Sequence, residues 1–204
     1  MSQKEPLSAK TPDGRLVHLN NDGTWVFVSP PTGQPSQFTF RKTSWGMAKQ
    51  AVLESEGGQA SEVAEDFLQF RTMLLDLEVE AIYIFVEDVL VRAKYLVVTT
   101  HSNDNSYLLD FERLKDNLSK KYGKPKEDRK LWQDDLYRED PSQWGIAVAN
   151  GSLSMFARWR SDDTNIFLDL SGDNFQCQLG VEYSSIRLAH LEESQRKRKT
   201  FDEL

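Results

Sequence analysis

Few side chains in this sequence could do chemistry, and their spacing decides what kind. Three histidines are present: His18, His101 and His190. No two lie within five residues of each other, so neither a helical nor a hairpin metal pair is available. The one cysteine, Cys177, cannot form an intrachain disulfide or a cysteine-rich zinc site. It alternates with Phe175 and Leu179, an apolar setting that raises a thiol pKa and suppresses nucleophilicity. The acidic pairs Asp134-Asp135, Glu139-Asp140 and Asp162-Asp163 could serve as acid and base or bind calcium. Adjacent strand residues face opposite ways, however, so these neighbours do not converge. Ser102-Asn103-Asp104-Asn105 offers oxygen ligands without the glycine and distal glutamate of a calcium loop. No nucleophile elbow, phosphate-cradling glycine loop or dinucleotide fingerprint occurs. The expectation is therefore no catalytic constellation, no metal and no cofactor.

Recognition is the better-supported chemistry. In Phe156-Ala157-Arg158-Trp159-Arg160 aromatics interleave with arginines, a pattern able to stack on bases or on a peptide. Trp159 shares a strand face with Leu153, Met155 and Ala157, so it reads as core, and Arg158 and Arg160 fall on the other face. Gln176, Gln178 and Glu182 alternate with apolar residues on a second strand. Arg158, Arg160, Gln176, Gln178 and Glu182 together form the candidate partner-binding surface. The basic run Arg196 to Lys199 is balanced by Glu192, Glu193, Asp202 and Glu203 and reads as a solvated helix end.

The elements that must hold this surface follow from periodicity. Asp22-Gly23 between β-rich runs predicts an N-terminal hairpin, and residues 1–14 read as frayed. A Pro-rich linker covers Ser29 to Gln37. A short strand at Phe38 to Phe40 precedes a helix from about Met47 to Glu56, capped by Thr43 or Ser44. Phe67 to Leu75, Val79 to Val86 and Val89 to Val98 read as an antiparallel meander. Leu108, Phe111, Leu114, Leu118 and Tyr122 share one helical face, and Gly123 and Pro125 end that helix. Further strands are expected at Leu131 to Tyr137, Gly145 to Ala149, Leu153 to Arg160, Thr164 to Leu170 and Phe175 to Tyr183, with Asn150-Gly151 as a hairpin turn. A last helix starts near Ser185. The fold class is α+β: antiparallel sheet with helices on one face, in two helix-plus-meander halves after an N-terminal hairpin. The divisions are 1–36, 37–102 and 103–204. The first meander is apolar on both faces, with Ile82, Ile84, Val86, Leu90, Leu96 and Val98 opposite Val79, Ala81, Tyr83 and Phe85. It needs a cover, either the hairpin or a homodimer or partner surface.

Composition bounds the rest. The chain has 204 residues, a hydrophobic share of 39% and a charged share of 28%, values that fit a globular domain and exclude wholesale disorder. Lys plus Arg is 25 and Asp plus Glu is 32, a net charge of −7, which argues against a dedicated nucleic-acid binder. No window is apolar enough for a transmembrane helix. The N-terminus has no apolar signal region, so the chain reads as cytoplasmic as it stands, or periplasmic or envelope-bound if a signal peptide has been removed.

Asp22-Gly23-Thr24-Trp25, Ser44-Trp45-Gly46-Met47 and Lys121-Tyr122-Gly123-Lys124-Pro125 resemble motifs of uncharacterised bacterial proteins and their domains of unknown function. The plan of a helix laid on a meander is similar to the outer-membrane-assembly lipoprotein BamE; in tandem it resembles the β-lactamase inhibitor protein. The resemblance implies a binding protein without catalysis and assigns no site residues. The expected function is a non-catalytic bacterial binding or accessory module acting on a protein partner through a sheet face. The alternatives are a small carboxylate-dependent hydrolase or transferase, and a self-associating structural subunit.

Overall fold

The computed structural model describes residues 7–10, 16–19, 24–27 and 39–202. The chain divides into two compact units, Met1–Gln37 and Phe38–Leu204. In the first, β1 (Leu7–Lys10), β2 (Leu16–Leu19) and β3 (Trp25–Phe27) form an antiparallel sheet. Val17 pairs with Phe27 and Leu19 with Trp25, the hairpin that the β-rich runs predict. β1 corrects the frayed reading for residues 7–10; the rest of 1–14 lies outside the described residues. The Asn20–Gly23 turn, the Pro-rich linker and Phe38 lie outside the described residues.

The second unit is α+β. Its elements are α1 (Lys49–Ser55), β4 (Glu62–Val63), β5 (Phe67–Leu74), β6 (Leu77–Val86), β7 (Val89–Val97), α2 (Asn105–Tyr122), β8 (Glu127–Trp132), α3 (Trp144–Ala149), β9 (Leu153–Arg160), β10 (Thr164–Asp173), β11 (Gln176–Ser185) and α4 (Ala189–Asp202). One antiparallel sheet holds all eight strands in the order β4-β5-β6-β7-β11-β10-β9-β8. The two four-strand runs enter from opposite edges and meet at their last strands. Lys94 of β7 faces Glu182 of β11 at the join.

Strand alternation explains one face. Leu68, Phe70, Val79, Ala81, Tyr83, Leu153, Met155, Ala157, Trp159, Ile166, Leu168, Leu179 and Val181 are all buried. α2 lies over the second-half strands and buries Phe111, Leu114 and Leu118. Burial of one such side chain stabilises by roughly 1.5–3 kcal/mol. α2 ends on Gly123, whose φ of 81° suits glycine. Its carbonyl accepts the Trp159 indole N–H at 3.0 Å. Over the first half, Phe40 packs against Tyr83, Tyr95 and Tyr183 with ring centroids 5.3, 4.7 and 5.1 Å away. Trp45 reaches the second half, donating to Thr164 Oγ1 at 2.8 Å.

Several local expectations are corrected. Gly145 to Ala149 forms α3, not a strand, and Asn150-Gly151 ends that helix. Gly145 lets α3 touch the start of α2: a Cβ there would sit 2.4 Å from the Asn105 backbone N. β8 begins four residues before the expected Leu131. Phe40 makes only an isolated bridge to Thr43. Neither Thr43 nor Ser44 caps α1; the Lys49 N–H donates to Asp88 Oδ1 at 2.9 Å, a cap supplied from the β6–β7 turn. Phe175 lies in the β10–β11 turn and is exposed. A register shift between Ile84 and Phe85 pairs Leu90 with Phe85, which moves Leu90 to the core face. α4 packs against β6 and β7 from the other face, through Arg92 Nε to Glu192 Oε1 at 3.0 Å.

Candidate functional site

Opposite residues on antiparallel strands share a face, so the register fixes what the open side of the sheet presents. One row reads Lys94, Glu182, Phe167, Arg158, Glu127. The next reads Leu96, Gly180, Asp169, Phe156, Arg129. Two adjoining grooves run across these rows and share Phe167 and Glu182.

The first groove, about 520 Å3, is lined by Lys126, Glu127, Arg158, Arg160, Asn165 and Phe167 among others. Phe156 and Phe167 stand side by side, centroids 5.7 Å apart, and the Arg158 guanidinium lies 5.0 Å from each. The two rings hold the guanidinium by cation–π attraction. Glu127 Oε2 is 3.6 Å from Arg158 Nη1. The side chains of Lys126, Arg129 and Arg160 have no ion-pair partner among the described residues.

The second groove, about 210 Å3, passes over Gly180 between Lys94, Leu96, Asp169, Gln178 and Glu182. A Cβ at position 180 would approach the Tyr95 carbonyl to 3.2 Å, so glycine keeps this floor low. The Asp169 carboxyl has no hydrogen bond among the described residues. Burial raises its pKa to about 6, the Glu182 charge adds to the rise and Lys94 opposes it. Glu182 itself accepts from Arg92 Nη1 at 3.0 Å.

All five residues singled out from sequence lie on this face. Arg158, Arg160 and Glu182 meet around Phe167, and Gln178 lines the neighbouring groove. Gln176 stands apart, opposite Asp173 at the far end of β11. Phe156 belongs to the aromatic–arginine run read from sequence; the alternation missed Phe167, Asp169, Lys94, Lys126 and Arg129. The period-two pattern Asn165, Phe167, Asp169 in β10 carried the signal for two of them.

Several of the other chemical candidates have structural partners. His101 Nε2 lies 2.6 Å from Asp110 Oδ2, and Arg113 holds the other oxygen at 3.2 Å. His190 Nδ1 is 3.0 Å from the Arg187 carbonyl, and His18 lies on β2. The Cys177 thiol is half-buried, and desolvation pushes its pKa up to about 11. Asp134 accepts from Ser152 Oγ at 2.7 Å, and Asp163 accepts from Thr164 at 2.8 Å. Among the described residues no three metal-ligating side chains converge. No helix among them is long and apolar enough to cross a membrane. Comparison with protein-family models, with curated proteins and with solved structures found no match in any of the three.

Proposed function

We propose that this protein is a non-catalytic binding or accessory module that recognises a protein partner through the open face of its eight-stranded sheet. The observation that carries the reading is the Arg158 guanidinium held over Phe156 and Phe167 at the β8–β10 end of a face on which α4 contacts β6 and β7. Aromatic and arginine side chains are enriched at the centres of protein interfaces, where they combine large contact area with directed hydrogen bonding. The open sheet rows offer both, with cations to one side and the Asp169 carboxyl to the other. The bacterial setting implied by the sequence motifs belongs to the same proposal.

The test is affinity capture from the source cells, with wild type beside the double charge reversal Arg158→Glu, Arg160→Glu. Both side chains are exposed, so the fold tolerates the change. The reading expects specific partners to be lost from the variant and retained by a reversal on the covered side. Undiminished capture by the variant overturns it.

A second reading, a small carboxylate-dependent hydrolase or transferase, is favoured by one observation. Asp169 and Glu182 line one groove, and burial and charge hold the Asp169 carboxyl near a pKa of about 6. An acid poised there suits proton transfer near neutral pH. That reading expects turnover with a pH-rate limb near this value that disappears in Asp169→Asn.

A further inference from the structure

Charge is unevenly spread over the open face. The chain as a whole carries −7. At the β8–β9 end, Lys126, Arg129, Arg158 and Arg160 face the single carboxylate of Glu127, which reaches only Arg158 and only at 3.6 Å. Glu182, on the groove's inner wall, accepts from Arg92 at 3.0 Å, a guanidinium it shares with Glu192. A local excess of cations survives on an acidic protein: Arg158 has only the long contact to Glu127, and Lys126, Arg129 and Arg160 make no ion pair among the described residues. Long-range repulsion opposes any large polyanion approaching such a molecule, yet a short acidic group meets several free donors once inside the groove.

Spacing narrows the occupant further. Arg158 and Arg160 are two residues apart on β9, a strand whose register stays unbroken from Met155 to Arg160. Side chains at i and i+2 of a strand point the same way, about 6.4–6.8 Å apart. Carboxylates at alternate positions of an extended peptide have that same repeat. Phe156 and Phe167 hold the Arg158 guanidinium in place, which removes part of the ordering entropy from binding. Guanidinium groups take carboxylates in paired, charge-assisted hydrogen bonds. A nucleic acid carries charge continuously and would bring phosphates onto Glu127, Glu182 and Asp169 as well.

We infer that the groove over Phe167 binds an extended acidic segment of a partner protein, with alternate carboxylates on Arg158 and Arg160 and an adjoining side chain against Phe167. This inference rests on the binding-module reading and assigns the partner's chemistry.

The probe is a fluorescently labelled peptide of alternating Glu and Val, measured by anisotropy against the full chain. Controls are an isomer with its Glu residues in one block, an alternating Lys and Val peptide, a single-stranded oligonucleotide and vesicles of anionic lipid. The alternating acidic peptide is expected to bind best. Its affinity should fall about tenfold or more in Arg158→Glu, Arg160→Glu, in line with losing paired charge-assisted bonds, and should decline as salt rises. The milder pair Arg158→Ala, Arg160→Ala should lose most of the same affinity, and circular dichroism of each variant checks that the fold is kept. Backbone amide shifts should move along β9 and β10 and not on α2. Equal binding of the blocked isomer, tighter binding of the basic peptide, oligonucleotide or vesicles, or affinity untouched by both variants overturns the inference. If cellular partners are lost on charge reversal while the acidic peptide fails to bind, the binding-module reading stands and only the assigned chemistry falls. If partner capture ignores the charge reversal, the binding-module reading falls.

Discussion

Two carboxylates, one on each face of the sheet, are kept in opposite ways. Glu56, on the covered face, has a side chain only 3% exposed. Arg41 grips it through Nε and Nη2, at 3.0 and 2.8 Å, and the Tyr83 hydroxyl donates to it at 2.6 Å. Burial alone would raise its pKa, but these bonds overcome that and hold it below the ordinary value. Asp169, on the open face, is half-buried and has no hydrogen bond among the described residues, so its pKa rises. A buried carboxylate with its bonds filled knits elements together: Glu56 joins the Phe40–Thr43 turn, α1 and β6. A desolvated carboxylate without partners costs stability and keeps its acceptor capacity for something else.

The comparison breaks most visibly at Glu56. Glu56→Gln leaves the Arg41 guanidinium, 22% exposed, without its counter-charge. Removing one partner of a buried ion pair costs about 3–5 kcal/mol, and the partial exposure of Arg41 places this case near the lower end, about 3. A drop in the urea midpoint measures it; an unchanged midpoint would show that the clamp is ornamental. The pH dependence has a definite sign. A carboxyl whose pKa is lowered by folding stabilises above its unfolded value and loses that contribution as pH falls through the folded one. Acid unfolding of wild type should therefore be steeper than that of the variant.

Gly172 sharpens the contrast between packed and open regions. A Cβ there would lie 2.3 Å from the Val148 carbonyl oxygen and 2.9 Å from Ala149 Cα. Both are backbone atoms of α3, so nothing flexible can yield. Gly172→Ala is expected to cost about 1–3 kcal/mol through overpacking. Gly123, by contrast, has open space where a Cβ would stand, and only its left-handed φ resists substitution, a cost of about 1–2 kcal/mol for an L-residue. Thermal melts of the two variants should rank in that order; the reverse order would mean that α3 moves freely on β10.

Period-two alternation made most of the sheet legible. Leu153, Met155, Ala157 and Trp159 are buried together, and Arg158 and Arg160 face out, as their spacing required. The stripe of α2 was equally plain, with Phe111, Leu114 and Leu118 buried. What escaped was non-local. The cap of α1 comes from Asp88, and no local signal links residues 39 positions apart. Gly145 to Ala149 is too short and too apolar for periodicity to separate helix from strand; close contact with Asn105 selects the helix. The bulge after Ile84 inverts Leu90 relative to simple alternation. At the site, the arginines were readable because they alternate with core residues. Asp169, Lys94 and Phe167 became a site only when β7, β10 and β11 came side by side.

Asp169 tests the open side of the comparison. Folding raises its pKa to about 6 from an ordinary 3.8, so the folded chain holds this proton more tightly than the unfolded one. Stability is then greatest below the unfolded value, falls as pH rises from about 4 to about 6, and is flat above. The full interval corresponds to about 3 kcal/mol, and solvent screening of this half-buried group lowers that to about 1–2. Asp169→Asn keeps the shape and removes the charge. Its stability should match wild type near pH 4 and exceed it by about 1–2 kcal/mol at pH 8. Equal stability at both pH values would show that the carboxylate is already satisfied and would erase the distinction from Glu56.

The smallest stability effect is expected where the binding effect is largest. Arg158 has a side chain 53% exposed and a single ion-pair contact at 3.6 Å. Exposed pairs of this kind contribute about 0–1 kcal/mol, and the two ring contacts add a similar amount. Arg158→Ala should therefore lower the unfolding free energy, read by urea denaturation, by about 1 kcal/mol, while removing the guanidinium that the open face presents over its aromatic pair. A loss as large as that at Glu56 would mean that Phe156, Phe167 and Arg158 are a structural clamp, equivalent to the covered face's own. A small loss accompanied by loss of partner capture separates the two faces by role: charge on one side is consumed in holding the fold, and charge on the other is left available for contact.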